Sequence, residues 1–158
     1  AALNILARKA GIYGMIGGQN ADIEAEKQAE PLTTEQILFI HANKTAALIQ
    51  SAMTIGATLA GAADEEIAAL ELCAYNVGIA FQIQDDILDV TSTDEELGKP
   101  VHSDEKNNKV TYVTLFGTEK AAEQVEELSE KAIDLLKSLN KNNEFLYLLI
   151  EKLINRRK

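Results

Sequence analysis

Between Val77 and Val90 the chain carries a segment that is apolar around most of a helical circumference and yet holds three carboxylates. It reads Val77-Gly78-Ile79-Ala80-Phe81-Gln82-Ile83-Gln84-Asp85-Asp86-Ile87-Leu88-Asp89-Val90. At ~100° per residue, Gln82, Asp85, Asp86 and Asp89 fall within one arc of roughly 100°. Only Gln84 interrupts the apolar remainder. A helix apolar over most of its surface is a buried, central one. The three acids therefore face an enclosed space.

The rest of the chain suits that requirement. It has 158 residues, 46% of them apolar, enough for one globular domain with a sizeable core. Aromatic residues are scarce and Trp is absent, while Ala, Leu and Ile are plentiful, which favours helix over sheet. With only Pro31 and Pro100, long helices are permitted. Leu3, Leu6, Ala7 and Ala10 recur at helical spacing before the glycines at 11, 14, 17 and 18. After a polar stretch, Asp22 to Glu30, Thr33-x-x-Gln36 makes a capping box for a long helix from Thr34 to about Ala60. Gly61 ends it, and Asp64 is the expected cap of a helix running to about Val90. A polar loop, Thr91 to Asn108, precedes a short helix from about Lys109 to Phe116. Two more helices follow, Thr118 to about Leu139 and Glu144 to about Asn155. The expected fold is an all-α antiparallel helix bundle, a single helical domain over residues 1–158.

Charge and cysteine content narrow the class. Twenty-five acidic against fifteen basic residues give a net charge of −10, the wrong sign for a nucleic-acid-binding domain. That sign also suits an anionic substrate only if divalent cations stand between protein and ligand. The single cysteine, Cys73, lies in an apolar stretch and reads as a small buried thiol in a reducing cytoplasm. The stretch Leu48 to Ala63 is interrupted by Gln50, Ser51, Thr54 and Thr58 and falls short of the ~20 apolar residues of a membrane span. The protein is expected to be soluble. The start, Ala1-Ala2-Leu3-Asn4, has no Met and no helix cap, and reads as an excised piece or a tag scar.

Solvated like charges at i,i+4 cost only about 0.2–0.5 kcal/mol, and an acidic surface face would need no further account. Enclosed carboxylates ~4 Å apart repel by about 4 kcal/mol at an effective dielectric of 20. One must take up a proton, or cations must neutralise them. All-oxygen ligands with room for water and phosphate point to Mg²⁺ rather than a closed Ca²⁺ cage. An EF-hand does not fit, because the loop after Asp89 lacks the Gly and ends at Pro100 instead of Glu.

Three further patterns stand out. His41-x-x-Lys44-Thr45 directs an ammonium and a hydroxyl along one helix face, donors that suit a phosphate oxygen. Lys44 alone would read as a surface lysine, but Ala46, Ala47, Leu48 and Ala52 imply a buried neighbourhood. His41 reads as a partly buried, hydrogen-bonded histidine rather than a ligand. Leu97-Gly98-Lys99-Pro100, with Lys106 and Lys109 beyond, places ammonium groups near the end of the acidic helix, although by itself it reads as a solvated loop. Gly14-Met15-Ile16-Gly17-Gly18-Gln19-x-x-Asp22 matches neither a P-loop nor a dinucleotide fingerprint, and its glycines imply close helix packing or a kink.

These elements, in this order and spacing over essentially the whole chain, resemble the C-terminal half of the trans-isoprenyl diphosphate synthases, the farnesyl and geranylgeranyl diphosphate synthase family. The Gly78-x-x-Phe81-Gln82-Ile83-x-Asp85-Asp86-x-x-Asp89 segment is complete for that family's second signature. The resemblance implies a prenyltransferase that condenses isopentenyl diphosphate with an allylic diphosphate after Mg²⁺-assisted ionisation. It implies Asp85 and Asp89 as Mg²⁺ ligands, with Asp86 acting on the ion from behind them or through water. Lys44 and Lys99 would bind the diphosphate, with Lys109 a weaker candidate. Thr45 and Gln82 would line the pocket near the reacting carbons, and Phe81 would border the isopentenyl diphosphate site. A cytoplasmic homodimer without a membrane span or nucleic-acid partner is the corresponding expectation for the full-length enzyme.

Members of the family are longer, and their first aspartate-rich motif and isopentenyl diphosphate grip lie upstream. This polypeptide alone is therefore expected not to catalyse the condensation. Val113 stands where relatives often have Pro after the Tyr, with little expected effect. A non-catalytic subunit of a heteromeric prenyl synthase is the main alternative, and retention of all three aspartates argues against it. A di-iron bundle would need Glu-x-x-His pairs, and neither His41 nor His102 has a Glu three residues before it. A terpene cyclase would normally show an Asn/Ser/Glu-type second metal motif.

Overall fold

A computed structural model describes residues 1–28, 30–93, 109–139, 141 and 143–154. Helix α1 (Ala2–Ala10) and helix α2 (Met15–Ala25) are separated by the Gly11–Gly14 corner. Helix α3 (Thr34–Ile40) continues through a π-helical stretch, His41–Ala46, into α4 (Ala47–Leu59). Helix α5 (Asp64–Thr91) is followed by α6 (Tyr112–Phe116), α7 (Thr118–Ser138) and α8 (Glu144–Ile154). Every regular element among the described residues is helical, as the composition requires.

The expected start and stop signals act with some shifts. Thr33 Oγ1 accepts from the Gln36 N–H at 3.3 Å and Gln36 Oε1 accepts from the Thr33 N–H at 2.8 Å, completing the capping box. Gly61 (φ 72°) and Gly117 (φ 83°) turn the chain in a conformation that favours glycine. Asp64 is not the cap: it lies in the first turn of α5, and Glu66 Oε2 instead accepts from the Ala63 N–H at 2.9 Å. Gly117 rather than Thr118 precedes α7. Helix α2 extends to Ala25, into the polar stretch that begins at Asp22. Lys109 and Val110 lie ahead of α6, whose cap is Thr111.

Helix α5 is the hub, packed against α4, α7, the π-helical stretch, α6 and α8. Its Cys73, Val77, Ala80 and Ile83 join Val125, Leu128, Ala132 and Leu136 of α7 and Ile150 of α8 in one buried cluster. Among the described residues, α5 rather than Leu48–Ala63 is the helix long and apolar enough, by length and composition, to cross a membrane. Here it serves as the core of the bundle, with Asn76, Asp86 and Asp89 buried along it. The core helix of a globular protein passes the same test of length and composition.

Two glycines set how closely the helices around the site approach. A Cβ on Gly78 would lie 2.4 Å from Ala46 Cβ, so α5 touches the π-helical backbone directly. A Cβ on Gly18 would lie 2.2 Å from the Lys44 amide nitrogen, so α2 closes on the same stretch from the other side. The segment 41–46 is thus held between two glycine faces.

Candidate active site

The sequence places His41, Lys44 and Thr45 on one α-helical face, whereas the structure winds them into a wider turn with i→i+5 bonding. Each side chain then meets a different partner. Thr45 donates its hydroxyl to Gln82 Oε1 at 2.8 Å, joining the stretch to α5. Lys44 Nζ donates to Asp22 Oδ2 on α2. His41 Nε2 lies 3.7 Å from Asp86 Oδ2, too far for a hydrogen bond.

A cavity of about 240 Å³ collects these groups. Asp22, His41, Lys44, Gln82, Asp85, Asp86 and Lys109 supply most of its polar wall, and Leu32, Ile37 and Ile40 close its apolar side. Asp85 is half-buried on this wall, and Asp86 and Asp89 are buried. Of the inward arc predicted for α5, Gln82, Asp85 and Asp86 line this cavity, while Asp89 is buried away from its lining. Asp86 Oδ2 also accepts from the Tyr112 N–H at 3.1 Å, so this aspartate anchors the start of α6. That anchor, with the Thr111 cap, brings Lys109 back over the cavity.

Lys44 and Lys109 converge on one buried carboxylate. Lys109 Nζ lies 2.9 Å from Asp22 Oδ1, while Lys44 holds Oδ2. Burial pushes the Asp22 carboxyl up, and the two ammonium groups more than offset it, so its pKa falls below the usual carboxylate value. His41 is pushed down to about 4, first by burial and then by Lys109, with Lys44 adding and Asp22 and Asp85 opposing. It is neutral at pH 7. Its Nδ1 has no hydrogen-bond partner among the described residues, so the expected satisfied histidine is not observed.

Of the residues singled out from sequence, Lys44, Thr45, Gln82, Asp85, Asp86 and Lys109 come together here. Among the described residues Phe81 and Asp89 lie outside the cavity lining, one half-buried and the other buried. Lys99, with Gly98 and Lys106, lies outside the described residues. Sequence reasoning named Asp22 at the end of the glycine-rich segment but gave it no role in the site. Its signal was position: Gly18 and Asp22 are four residues apart, so the acid shares the glycine face of α2.

Among the described residues no three His, Cys, Asp or Glu side chains converge enough to hold a metal ion by themselves. One or two carboxylates facing room for phosphate and water match the donor set of Mg²⁺, which usually keeps several non-protein ligands. The residues present fit that ion in company with an anionic ligand.

A model of the family described as polyprenyl synthetase matches residues 2–148. Among curated relatives, dimethylallyltranstransferase of Fischerella ambigua is 44% identical over 80% of this chain and 36% of its own length. Farnesyl diphosphate synthase of Bacillus subtilis is 40% identical over 94% of this chain and 50% of its own length. Among solved structures, Helicobacter pylori geranyltransferase complexed with magnesium and isoprenyl diphosphate matches with a TM-score of 0.76. It is 35% identical over 98% of this chain and 48% of that one. The chain thus spans about a third to a half of the length of these relatives.

Proposed function

Because the chain belongs to the polyprenyl synthetase family, we propose that its cavity grips the diphosphate of an allylic substrate in a Mg²⁺-dependent prenyl transfer site. The observation that carries this reading is the meeting of Lys44 and Lys109 with Asp85 and Asp86 around one cavity. Ammonium groups recognise phosphoryl oxygens, and carboxylates facing them recognise the cation that accompanies a diphosphate. The same pairing reconciles the net charge of −10 with an anionic substrate.

Asp85 would hold Mg²⁺, with Asp89 a further ligand and Asp86 acting through water. Bound there, the ion would help neutralise charge building on the departing diphosphate. Lys44 and Lys109, with Lys99 as a third candidate, stabilise that same charge as the allylic carbon–oxygen bond ionises. The isopentenyl double bond then attacks the allylic cation, and proton loss restores the alkene. Thr45 fixes the Gln82 carboxamide beside the reacting carbons, and Phe81 borders the isopentenyl diphosphate site. His41, uncharged at pH 7, and the side chains of Ile37 and Ile40 limit water at the apolar wall.

The chain by itself supplies only the allylic diphosphate side of this reaction and is expected to give no condensation product. Isothermal titration with an allylic diphosphate tests the reading. Binding should require Mg²⁺ and weaken at least tenfold in Asp85→Asn. Equal binding with and without Mg²⁺, or no binding at all, contradicts it.

A further inference from the structure

Asp22 is the most enclosed charged group at the cavity, only 3% exposed, and each of its carboxylate oxygens meets a different ammonium group. The two lysines reach it from separate segments, the π-helical stretch and the lead-in to α6. Their side chains are 34% and 27% exposed, so both can turn toward the cavity while Asp22 cannot follow. Gly18, one turn before Asp22 on α2, fixes this geometry by pressing its backbone on the Lys44 amide. With Asp85 and Asp86 on the same wall, the cavity sets three carboxylates against these two lysines, and Asp22 is the carboxylate that holds both of them.

We propose that Asp22 is a positioning residue that acts as a stand-in anion, holding Lys44 and Lys109 where a ligand phosphate will need them and competing with that phosphate for their donors. The proposal rests on the diphosphate reading above and adds a residue and a sign to it. Without metal, a diphosphate entering the cavity must draw an ammonium group away from Asp22 and must also approach a fixed negative charge. Removing that charge while keeping the side chain's shape strengthens metal-free binding of the anion. Loss of a metal-binding carboxylate would act in the opposite direction.

The test is calorimetric titration of inorganic diphosphate, in EDTA and again in Mg²⁺, into the wild-type chain, Asp22→Asn and Asp22→Glu. Circular dichroism confirms that each is helical. Asp22→Asn should bind metal-free diphosphate at least tenfold more tightly than wild type, with a steeper loss of affinity as salt rises, and Asp22→Glu should restore the wild-type value. Unchanged or weaker metal-free binding by a helical Asp22→Asn, while wild type still binds diphosphate in Mg²⁺, overturns the stand-in role and leaves the substrate reading intact. Absence of diphosphate binding in every chain and condition overturns both. Should Asp22→Asn fail to fold, Asp22→Ser, which also removes the charge, is titrated in its place: metal-free binding at least tenfold tighter than wild type supports the stand-in role, and unchanged or weaker binding overturns it.

Discussion

The two sides of α5 are closed in different ways. Toward α7 and α8 it buries Cys73, Val77 and Ile83 against Val125, Leu128, Ala132, Leu136 and Ile150, side chain on side chain. Toward α2 and the π-helical stretch it meets backbone through Gly78, and beyond that contact lie Gln82, Asp85, Asp86 and the paired charges of Asp22. The first side is an ordinary helix-packing core whose energy scales with apolar area. The second is fixed by contact distances and charge, beside a smaller apolar cluster of Leu32, Ile37 and Ile40. Stability and site geometry are thus carried by opposite faces of one helix, and perturbations should separate them.

The largest separation is expected from Leu136→Ala on the apolar side. A fully packed leucine lost from a core costs about 2–5 kcal/mol, which urea unfolding will read. Diphosphate affinity per folded molecule should stay unchanged. Acid should strike the other side. His41 is held neutral with its pKa pushed down to about 4, whereas the unfolded chain protonates near 6.5. A depressed histidine pKa gives stability that is present above the unfolded value and is lost as pH falls from about 6.5 toward 4. The loss is on the order of 3 kcal/mol, and His41→Gln should flatten that part of the stability–pH curve. Asp22, also depressed, loses its contribution only at still lower pH, as it protonates.

Gly78→Ala should come next, at about 1–3 kcal/mol for overpacking. Unlike Leu136→Ala, it should also weaken diphosphate binding, because Ala46 must move and takes Lys44 and Thr45 with it. Thr33→Ala removes half of an exposed capping box that adds no side chain to the cavity and should cost about 1 kcal/mol in thermal unfolding, with binding untouched. The smallest effect concerns Cys73, buried in the apolar core with its thiol pushed up by burial to about 11. Thiol reagents at pH 8 should label it only as fast as the core opens. Prompt labelling would mean that α5 and α7 part easily.

The apolar side was legible in the sequence because burial writes itself as periodicity. The arc of Gln82, Asp85, Asp86 and Asp89 and the apolar remainder of α5 both follow from helical geometry alone. Capping at Thr33 and the turn at Gly61 were equally plain, since each depends on residues within a few positions. The π-helical stretch was not legible: nothing in His41-Ala42-Asn43-Lys44-Thr45-Ala46 departs from an ordinary helix. The extra width accompanies the approach of Gly18 and Gly78 from distant segments. The role of Asp22 was hidden for the same reason. Its partners lie 22 and 87 positions away, and its pairing depends on how closely α2 packs.

The account depends on a diphosphate lying between the lysines and the carboxylates of this one cavity. Its most direct test is a crystal structure of the chain with an allylic diphosphate and Mn²⁺ replacing Mg²⁺, read by anomalous scattering. The account predicts a manganese peak beside Asp85, with phosphate oxygens reaching Lys44 and Lys109. A diphosphate bound elsewhere, or manganese held away from Asp85 and Asp89, would contradict it.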